Sequence, residues 1–427
     1  MEIEKLIKFN EWWATKKVKP SLLKPHKRSL FFKIQKYIED RQILLIMGLR
    51  RVGKTTLMYQ LIQELLEKKV KTERIVYFSF DEEIVEFDDL IRTYEEKVLK
   101  KKIQDEKIYF FLDEIQKCEN WQNKIKIYYD LYPKLKFIIS GSASVQINKK
   151  AKESLAGRIF DFLLTPLTFK EFIEWKNVKI DEKKIELFQM EIIPLFYDYL
   201  RKGGFPEVID EEDDEKIKNY IKNNVIERII YRDLPEEFGI KDYELLKTLI
   251  ELIGREPGFI INYDALSRDL HKNKRTIMEY FFYLEYAMLI KIVANYREGF
   301  LVSSRKQKKA YVTNTAISFT LIENFYSDRV LEKIAENFAV IETDTKNYYR
   351  NKYEVDIILR KGKNILPIEV KYGKVEIDSM LKFLSEFKLQ KAIILTKDIF
   401  DKRIIDKKTI FLVPLWAFPF VKEEYIK

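Results

Sequence analysis

The chain holds a single cysteine, Cys118, and two histidines, His26 and His271, far apart in sequence. One thiol cannot form an internal disulfide, and neither a cysteine-rich nor a histidine-based zinc site can be assembled from this set. Any catalytic metal must be held by carboxylates, which points to Mg²⁺ or Mn²⁺. Long apolar runs are missing too. No stretch approaches the roughly 20 residues that span a bilayer, and residues 1–10 alternate charge with apolar side chains, unlike a signal peptide. A cytoplasmic location with no membrane partner is expected. Excess charge of one sign is small: 78 Lys and Arg against 68 Asp and Glu, a net +10. That permits a polyanionic partner and does not require one. Little Gln, His or Cys beside abundant Lys, Glu, Ile and Tyr is a thermophile-like balance.

At 427 residues, 46% of them hydrophobic, the chain has material for two to four folding units with real cores. Apolar runs at 43–47, 74–80, 108–112 and 137–140 alternate with helical periodicity. Between the first two, Leu57, Leu61, Ile62, Leu65 and Leu66 share one face of a helix predicted over 55–69. This alternation predicts an α/β fold with a parallel sheet. The pattern divides the chain into an N-terminal helical segment (1–27), an α/β core (28–165), a helical lid (166–240), a winged helix-turn-helix (241–303) and a second α/β unit (304–427). The acidic run 210–215 reads as a solvated turn or helix start. Helices are predicted over 242–253, 263–270 and 274–286, the last two capped by Asn262 and Asn273, with wing strands over 289–296 and 300–303. After the basic run 305–309 come a helix over 328–339, strands over 353–360 and 365–370, a helix over 379–387 and a strand over 391–396. Trp12 and Trp13 are expected to pack on the core, and the aromatics of 280–286 to fill the winged helix.

Gly48-Leu49-Arg50-Arg51-Val52-Gly53-Lys54-Thr55 matches G-x-x-x-x-G-K-[ST] between a buried strand and a helix, the context the motif requires. Glycine lets backbone N–H groups curl round phosphate oxygens, and the helix start adds a positive dipole. Gly48, Arg50, Arg51, Val52, Gly53, Lys54, Thr55 and Thr56 form the expected ATP-binding set, with Lys54 on the β/γ-phosphates and Thr55 on Mg²⁺. The strand 109–112 runs into Asp113 and Glu114. Asp113 is expected to hold Mg²⁺ and Glu114 to orient and polarise the attacking water, a pairing that argues for hydrolysis. Ser140, at the end of the following strand, is assigned as the γ-phosphate sensor, with Ser142 behind it. Arg158 is the transition-state arginine in cis or from a neighbouring subunit; a surface ion pair is the plainer alternative.

Together with Leu112-Asp113-Glu114-Ile115-Gln116, Ser140-Gly141-Ser142, Ala156-Gly157-Arg158, Pro166-Leu167-Thr168-Phe169-Lys170-Glu171-Phe172 and Gly203-Gly204-Phe205-Pro206-Glu207, the loop resembles that of archaeal and bacterial AAA+-type P-loop ATPases. In that family the ATPase core precedes a C-terminal domain of uncharacterised function. The resemblance implies Mg-ATP and a role linked to DNA or mobile elements; a homo-oligomer or a protein partner also stays open.

Lys272, Lys274 and Arg275 lie at the turn and start of the third helix of the winged segment, where such folds contact phosphates and base edges. Glu279 on the same helix opposes DNA, and winged helices also serve as protein-interaction modules. Further on, strand alternation puts Glu369 and Lys371 on one face, within reach of Asp356 if its strand is adjacent. Two carboxylates bind Mg²⁺ or Mn²⁺ while a lysine activates water, and Glu336 on the preceding helix completes the set. An exposed Glu369–Lys371 ion pair is the alternative. This arrangement resembles the PD-(D/E)XK nuclease superfamily, which implies a restriction-endonuclease-like α/β domain with metal ligands Glu336, Asp356 and Glu369 and catalytic Lys371. The usual upstream Asp-Thr-Gly run stands here as Asn314-Thr315-Ala316.

Overall fold

The computed structural model describes residues 1–83, 85–141, 154–297, 307–362 and 364–426. Ser142, the expected wing strand 300–303 and the first part of the basic run at 305–306 lie outside the described residues. The chain divides into two compact units, Met1–Thr165 and Pro166–Lys427.

The first unit is built on five parallel strands, β1 (Ile43–Met47), β2 (Ile75–Ser79), β3 (Ile108–Asp113), β4 (Leu135–Gly141) and β5 (Ile159–Leu163), in the order β2-β3-β4-β1-β5. Every residue of β1 to β4 is buried, as a parallel sheet demands. This is an α/β fold with a five-stranded parallel sheet. Strand β2 lies at the sheet's edge, and the N-terminal segment covers that edge with side chains. Asn10 donates to Tyr77 O (2.8 Å) and accepts from Tyr77 N–H (2.7 Å), while the Trp12 and Trp13 indoles both donate to Ile75 O (3.1 and 2.9 Å). Backbone groups that would invite another strand are satisfied instead. Residues 1–27 are therefore part of the first unit.

In the second unit, Thr168 and Glu171 form a capping box at the start of helix Phe169–Trp175, so the Pro166–Phe172 motif has a local physical reason. Helix Gln189–Lys202 ends on Gly203 with left-handed backbone. A side chain at Gly204, also left-handed, would collide with the Leu167 carbonyl. The acidic run is not merely solvated. Asp213 caps helix Asp214–Ile221, and Glu212 takes the fully buried Lys202 ammonium at 3.0 Å, with Asp198 on its other side at 2.9 Å.

Ten more strands make two further sheets. The first contains β6 (Phe259–Ile261), β7 (Ile290–Asn295), β8 (Lys308–Val312), β9 (Asn347–Arg350) and β10 (Glu354–Val355), in the order β10-β9-β7-β8-β6. It pairs strands from both sides of residue 303, so the expected boundary there falls inside one sheet. The second contains β11 (Ile357–Lys361), β12 (Asn364–Lys371), β13 (Lys391–Thr396), β14 (Asp401–Ile405) and β15 (Lys408–Pro414), in the order β11-β12-β13-β15-β14. The single strand expected over 353–360 is broken at Asp356, where the chain leaves β10 in one sheet and enters β11 in the other. Asn262, Asn273 and Asp242 cap helices Tyr263–Asp269, Lys274–Tyr286 and Tyr243–Arg255. Helix Lys274–Tyr286 buries Ile277, Phe281 and Leu284 completely.

Candidate nucleotide site and C-terminal acid cluster

The 48–55 loop leaves the carboxyl end of β1 and turns into helix Lys54–Glu67 through Gly53, whose φ of 95° L side chains avoid. Gly48 is forced by packing, since a β-carbon there would strike the Leu164 carbonyl. No side chain caps the helix start, so its first amides remain available to an anion.

Lys54, 7% exposed, donates to Gly48 O (3.2 Å) and Leu49 O (3.4 Å) and pairs with Glu114 at 3.6 Å. The Thr55 hydroxyl donates to Asp113 Oδ2 at 2.6 Å, and the Tyr77 hydroxyl donates to the same oxygen at 2.9 Å. Ser140 donates to Asp113 Oδ1 and accepts from the Glu114 N–H at 3.2 Å. Three hydroxyls from β2, β4 and the loop helix thus fix one carboxylate. Burial, then the neighbouring Glu114 charge, raise the Asp113 pKa, while the three hydroxyls pull it back. Burial works the other way on Glu114's ionisation but loses to Lys54, to a Gln116 hydrogen bond of 2.5 Å and to Arg50, which together hold Glu114 below the usual range. Glu114 itself has left-handed backbone (φ 51°), the kind of strain that collects at functional positions. Thr55 and Asp113 are hard oxygen ligands of the number Mg²⁺ takes from protein when substrate phosphates complete its shell. Arg50 pairs with Asp81 at 3.6 Å; Arg51 is left-handed (φ 67°); Val52 is buried and Thr56 is half-buried.

Two expectations need correction here. Ser140 is fully buried and its hydroxyl is engaged by Asp113 and the Glu114 N–H, so in this arrangement it positions the carboxylate, beside the place expected for a γ-phosphate. Arg158 forks onto Asp130 (2.9 and 3.1 Å), and its carbonyl accepts from Ile43 N–H at the amino end of β1. The five-residue strand separates that end from the loop by roughly 17 Å at about 3.3 Å per residue. Arg158 therefore does not reach its own loop in this arrangement and forms the ion pair instead, which leaves the neighbouring-subunit role as the one form of the expectation this geometry does not address.

In the second unit Asp356 and Glu369 do come together. Register continues from Ile357↔Ile368, and the Val370 N–H donates to Asp356 Oδ2 at 2.9 Å. Lys371 pairs with Glu369 Oε1 at 2.7 Å, while Glu369 Oε2 is buried without a hydrogen-bond partner. The residue missed from sequence is Lys309. From β8 its ammonium, 5% exposed, reaches Glu336 (2.8 Å), Glu354 (2.5 Å) and Asp356 (3.9 Å). Tyr311, two residues along the same strand face, donates to Glu336 at 2.5 Å. Burial alone would lower the Lys309 pKa; Glu336, Asp356 and Glu354 outweigh it and hold the ammonium well above its ordinary value. Asp356 is raised well above the carboxylate range by burial and then by Glu336; Glu369 is raised by burial. A cation already sits among the expected metal ligands. Among the described residues no three acidic, histidine or cysteine side chains are arranged to hold a metal ion, so the Mg²⁺ or Mn²⁺ site expected at Glu336, Asp356 and Glu369 does not fit. The signal for Lys309 was its alternation with Tyr311 inside what reads as a plain basic run. Asn314, which stands where a nuclease aspartate was sought, is buried, donates to Gly203 O and caps helix Thr315–Leu321.

The expected DNA contacts are each tied to an acid: Lys272 to Asp242 (2.6 Å), Lys274 to Asp264 (2.8 Å) and Arg275 to Glu279 (3.1 Å). No helix among the described residues is long and apolar enough to cross a membrane.

Comparison with known proteins matches residues 40–173 to an AAA domain, residues 193–328 to a domain of unknown function (DUF8612) and residues 321–418 to another (DUF4143). The chain is 26% identical over 401 residues to an uncharacterized protein of Haemophilus influenzae, covering 88% of this chain and 94% of that one. It is 28% identical over 403 residues to an uncharacterized protein of Methanocaldococcus jannaschii, covering 88% and 87%. Among solved structures, an Aeropyrum pernix Orc1 protein in complex with DNA aligns with a TM-score of 0.33 at 13% identity, covering 75% of this chain and 98% of that one; a likeness of that size carries no argument. The AAA match and the geometry of the loop together support an ATP-binding P-loop domain of AAA type in residues 40–173.

Proposed function

We propose that the chain hydrolyses ATP in a Mg²⁺-dependent reaction at the 48–55 loop. The observation that carries this is the convergence of Thr55 on Asp113 and of Lys54 on Glu114 at an uncapped helix start. Thr55 and Asp113 would hold Mg²⁺, which when bound would neutralise charge on the phosphates. The first amides of helix Lys54–Glu67 cradle the phosphate oxygens. Lys54 exchanges Glu114 and the loop carbonyls for the β/γ oxygens. Glu114, released from Lys54 and still ionised, orients a water and takes its proton, with Gln116 holding the carboxylate's other oxygen. Lys54→Ala should abolish phosphate release from ATP; turnover retained in that variant would refute the site.

DNA is the proposed partner of the second unit, through the winged-helix segment and a nuclease-like α/β fold. A specific observation favours a second reading, a nucleotide-gated switch that binds a protein partner and has no nuclease activity: Lys309 fills the acid cluster and the winged-helix cations are paired internally. Exposed pairs of that kind are worth only about 0–1 kcal/mol, so phosphates could displace them. DNA binding measured across a salt series, with and without ATP, separates the readings. A steep negative salt slope supports DNA; no affinity at low salt supports the switch.

A further inference from the structure

A groove of about 1280 Å³ opens in the second unit where β12, β13 and β15 begin. It lies at the opposite end of these strands from Glu369 and Lys371. The five steps along the strand from Asn364 to Glu369 separate the two by roughly 17 Å at about 3.3 Å per residue. Its charged lining is Lys346, Arg360, Lys388, Lys391, Lys407 and a single acid, Asp344. That acid is engaged by Lys291. Arg360 and Lys391 donate to backbone carbonyls, of Gly362 and Tyr425 (both 3.0 Å). Among the described residues none of the five cations forms an ion pair with a carboxylate, unlike the winged-helix cations. Side-chain amides of Asn364 and Gln390 also face the groove, as does the ring of Phe411.

A second observation concerns the backbone. Asp344, Lys388 and Lys407 are left-handed (φ 47°, 53° and 64°), as is Gly362 (φ 63°). Four tight turns therefore rim the groove. Asp344 and Lys388 close helices Asp328–Thr343 and Asp378–Glu386, and Lys407 lies in the turn between β14 and β15, so the fold itself holds these turns at the groove's rim. Cations held on turns around a concave surface, with neutral donors and an aromatic ring beside them, suit a polyanionic backbone.

We infer that this groove binds the phosphodiester backbone of a nucleic acid strand. The inference rests on the DNA reading of the second unit and moves the main phosphate contacts from the winged-helix turn to the amino ends of β12, β13 and β15. The salt-screened, mutually repelling lysines are held apart by their turns until phosphates neutralise them.

The test is fluorescence anisotropy of labelled single-stranded and duplex oligonucleotides against the full chain over a salt series, with poly-glutamate as competitor. Three forms are compared: wild type, Lys346→Glu/Lys388→Glu/Lys407→Glu, and Lys272→Glu/Lys274→Glu/Arg275→Glu. All six positions are exposed, and a thermal melt with ATP turnover checks that each variant is folded. The groove variant should lose at least roughly tenfold in affinity and flatten the log–log salt slope by about two to three units, at 0.7 to 0.9 per phosphate, while the winged-helix variant binds like wild type. The arm with the larger loss shows whether the strand is single or paired. If only the winged-helix variant loses binding, DNA remains the partner and the groove assignment falls. Wild type that binds no oligonucleotide overturns both. Poly-glutamate competing as well as nucleic acid at matched charge also overturns the inference, in favour of an acidic protein segment.

Discussion

Replacing Lys309 with methionine keeps most of the side chain's volume and removes the one ammonium shared by Glu336, Glu354 and Asp356. The side chain is 5% exposed, so its loss leaves the carboxylates of Glu336, Glu354 and Asp356 facing one another without this counter-ion. Breaking a buried pair by deleting one partner costs about 3–5 kcal/mol. At roughly 2–4 °C per kcal/mol for a unit of this size, the melting temperature near neutral pH should fall by about 6–20 °C. The pH dependence follows from the direction of the shifts. Asp356 and Glu369 already have raised pKa values from burial and neighbouring charge, and removing the ammonium, which holds Asp356 down, raises Asp356 further. A carboxylate whose folded pKa exceeds its unfolded one adds stability below the unfolded value and loses it as pH rises through the folded value. The deficit of Lys309→Met against wild type should therefore be largest at pH 7–8 and shrink as the pH falls toward 5. Thermal melts of the full chain across that range, followed by circular dichroism, read this directly. A deficit that is absent, or the same at every pH, would refute the assignment of Lys309 as the cluster's internal cation.

Three other outcomes are expected. Glu114→Gln should lower phosphate release by about 10²–10⁴-fold and leave binding of a fluorescent ATP analogue intact; loss of both would make Glu114 a structural residue. Arg158→Ala should leave turnover of the dilute monomer nearly unchanged, because its fork lies on Asp130 at the far end of β1; a collapse in phosphate release under those conditions would contradict this placement. Lys136→Met should destabilise the first unit by about 1–3 kcal/mol in urea titration, since its buried amine is bonded to the carbonyls of Tyr37, Asp40 and Gln42 at 2.8, 2.6 and 2.6 Å and burial pulls its pKa down to about 7.

The nucleotide loop was legible because its chemistry is local. Eight consecutive residues shape the backbone, and the preceding and following periodicity marks a strand and a helix. Asp113 and Glu114 were legible for the same reason, at the end of an apolar run that can only be a buried strand. Caps such as Asn262 and Asn273 act over three residues and were equally visible. The contact of Ser140 with Asp113 was not legible, because which way a hydroxyl at a strand end turns depends on the neighbouring strand. Whether Arg158 reaches its own loop was not legible, because nothing in its own neighbourhood tells at which end of a parallel sheet it enters.

The amino-acid sequence by itself determined where a triphosphate can be cradled, that any metal there must be held by oxygen, and that strands and helices alternate around it; each follows from residues within one turn or one strand of each other. Only the tertiary structure decided what the later acids do. Lys309, Glu336, Glu354 and Asp356 come from β8, helix Asp328–Thr343, β10 and the break between two sheets. Whether such a set closes round a lysine or a metal depends on sheet order and register, to which sequence separation is blind. The same holds for the basic groove, whose cations are spread over 62 residues, from Lys346 to Lys407, and meet only because three parallel strands start side by side.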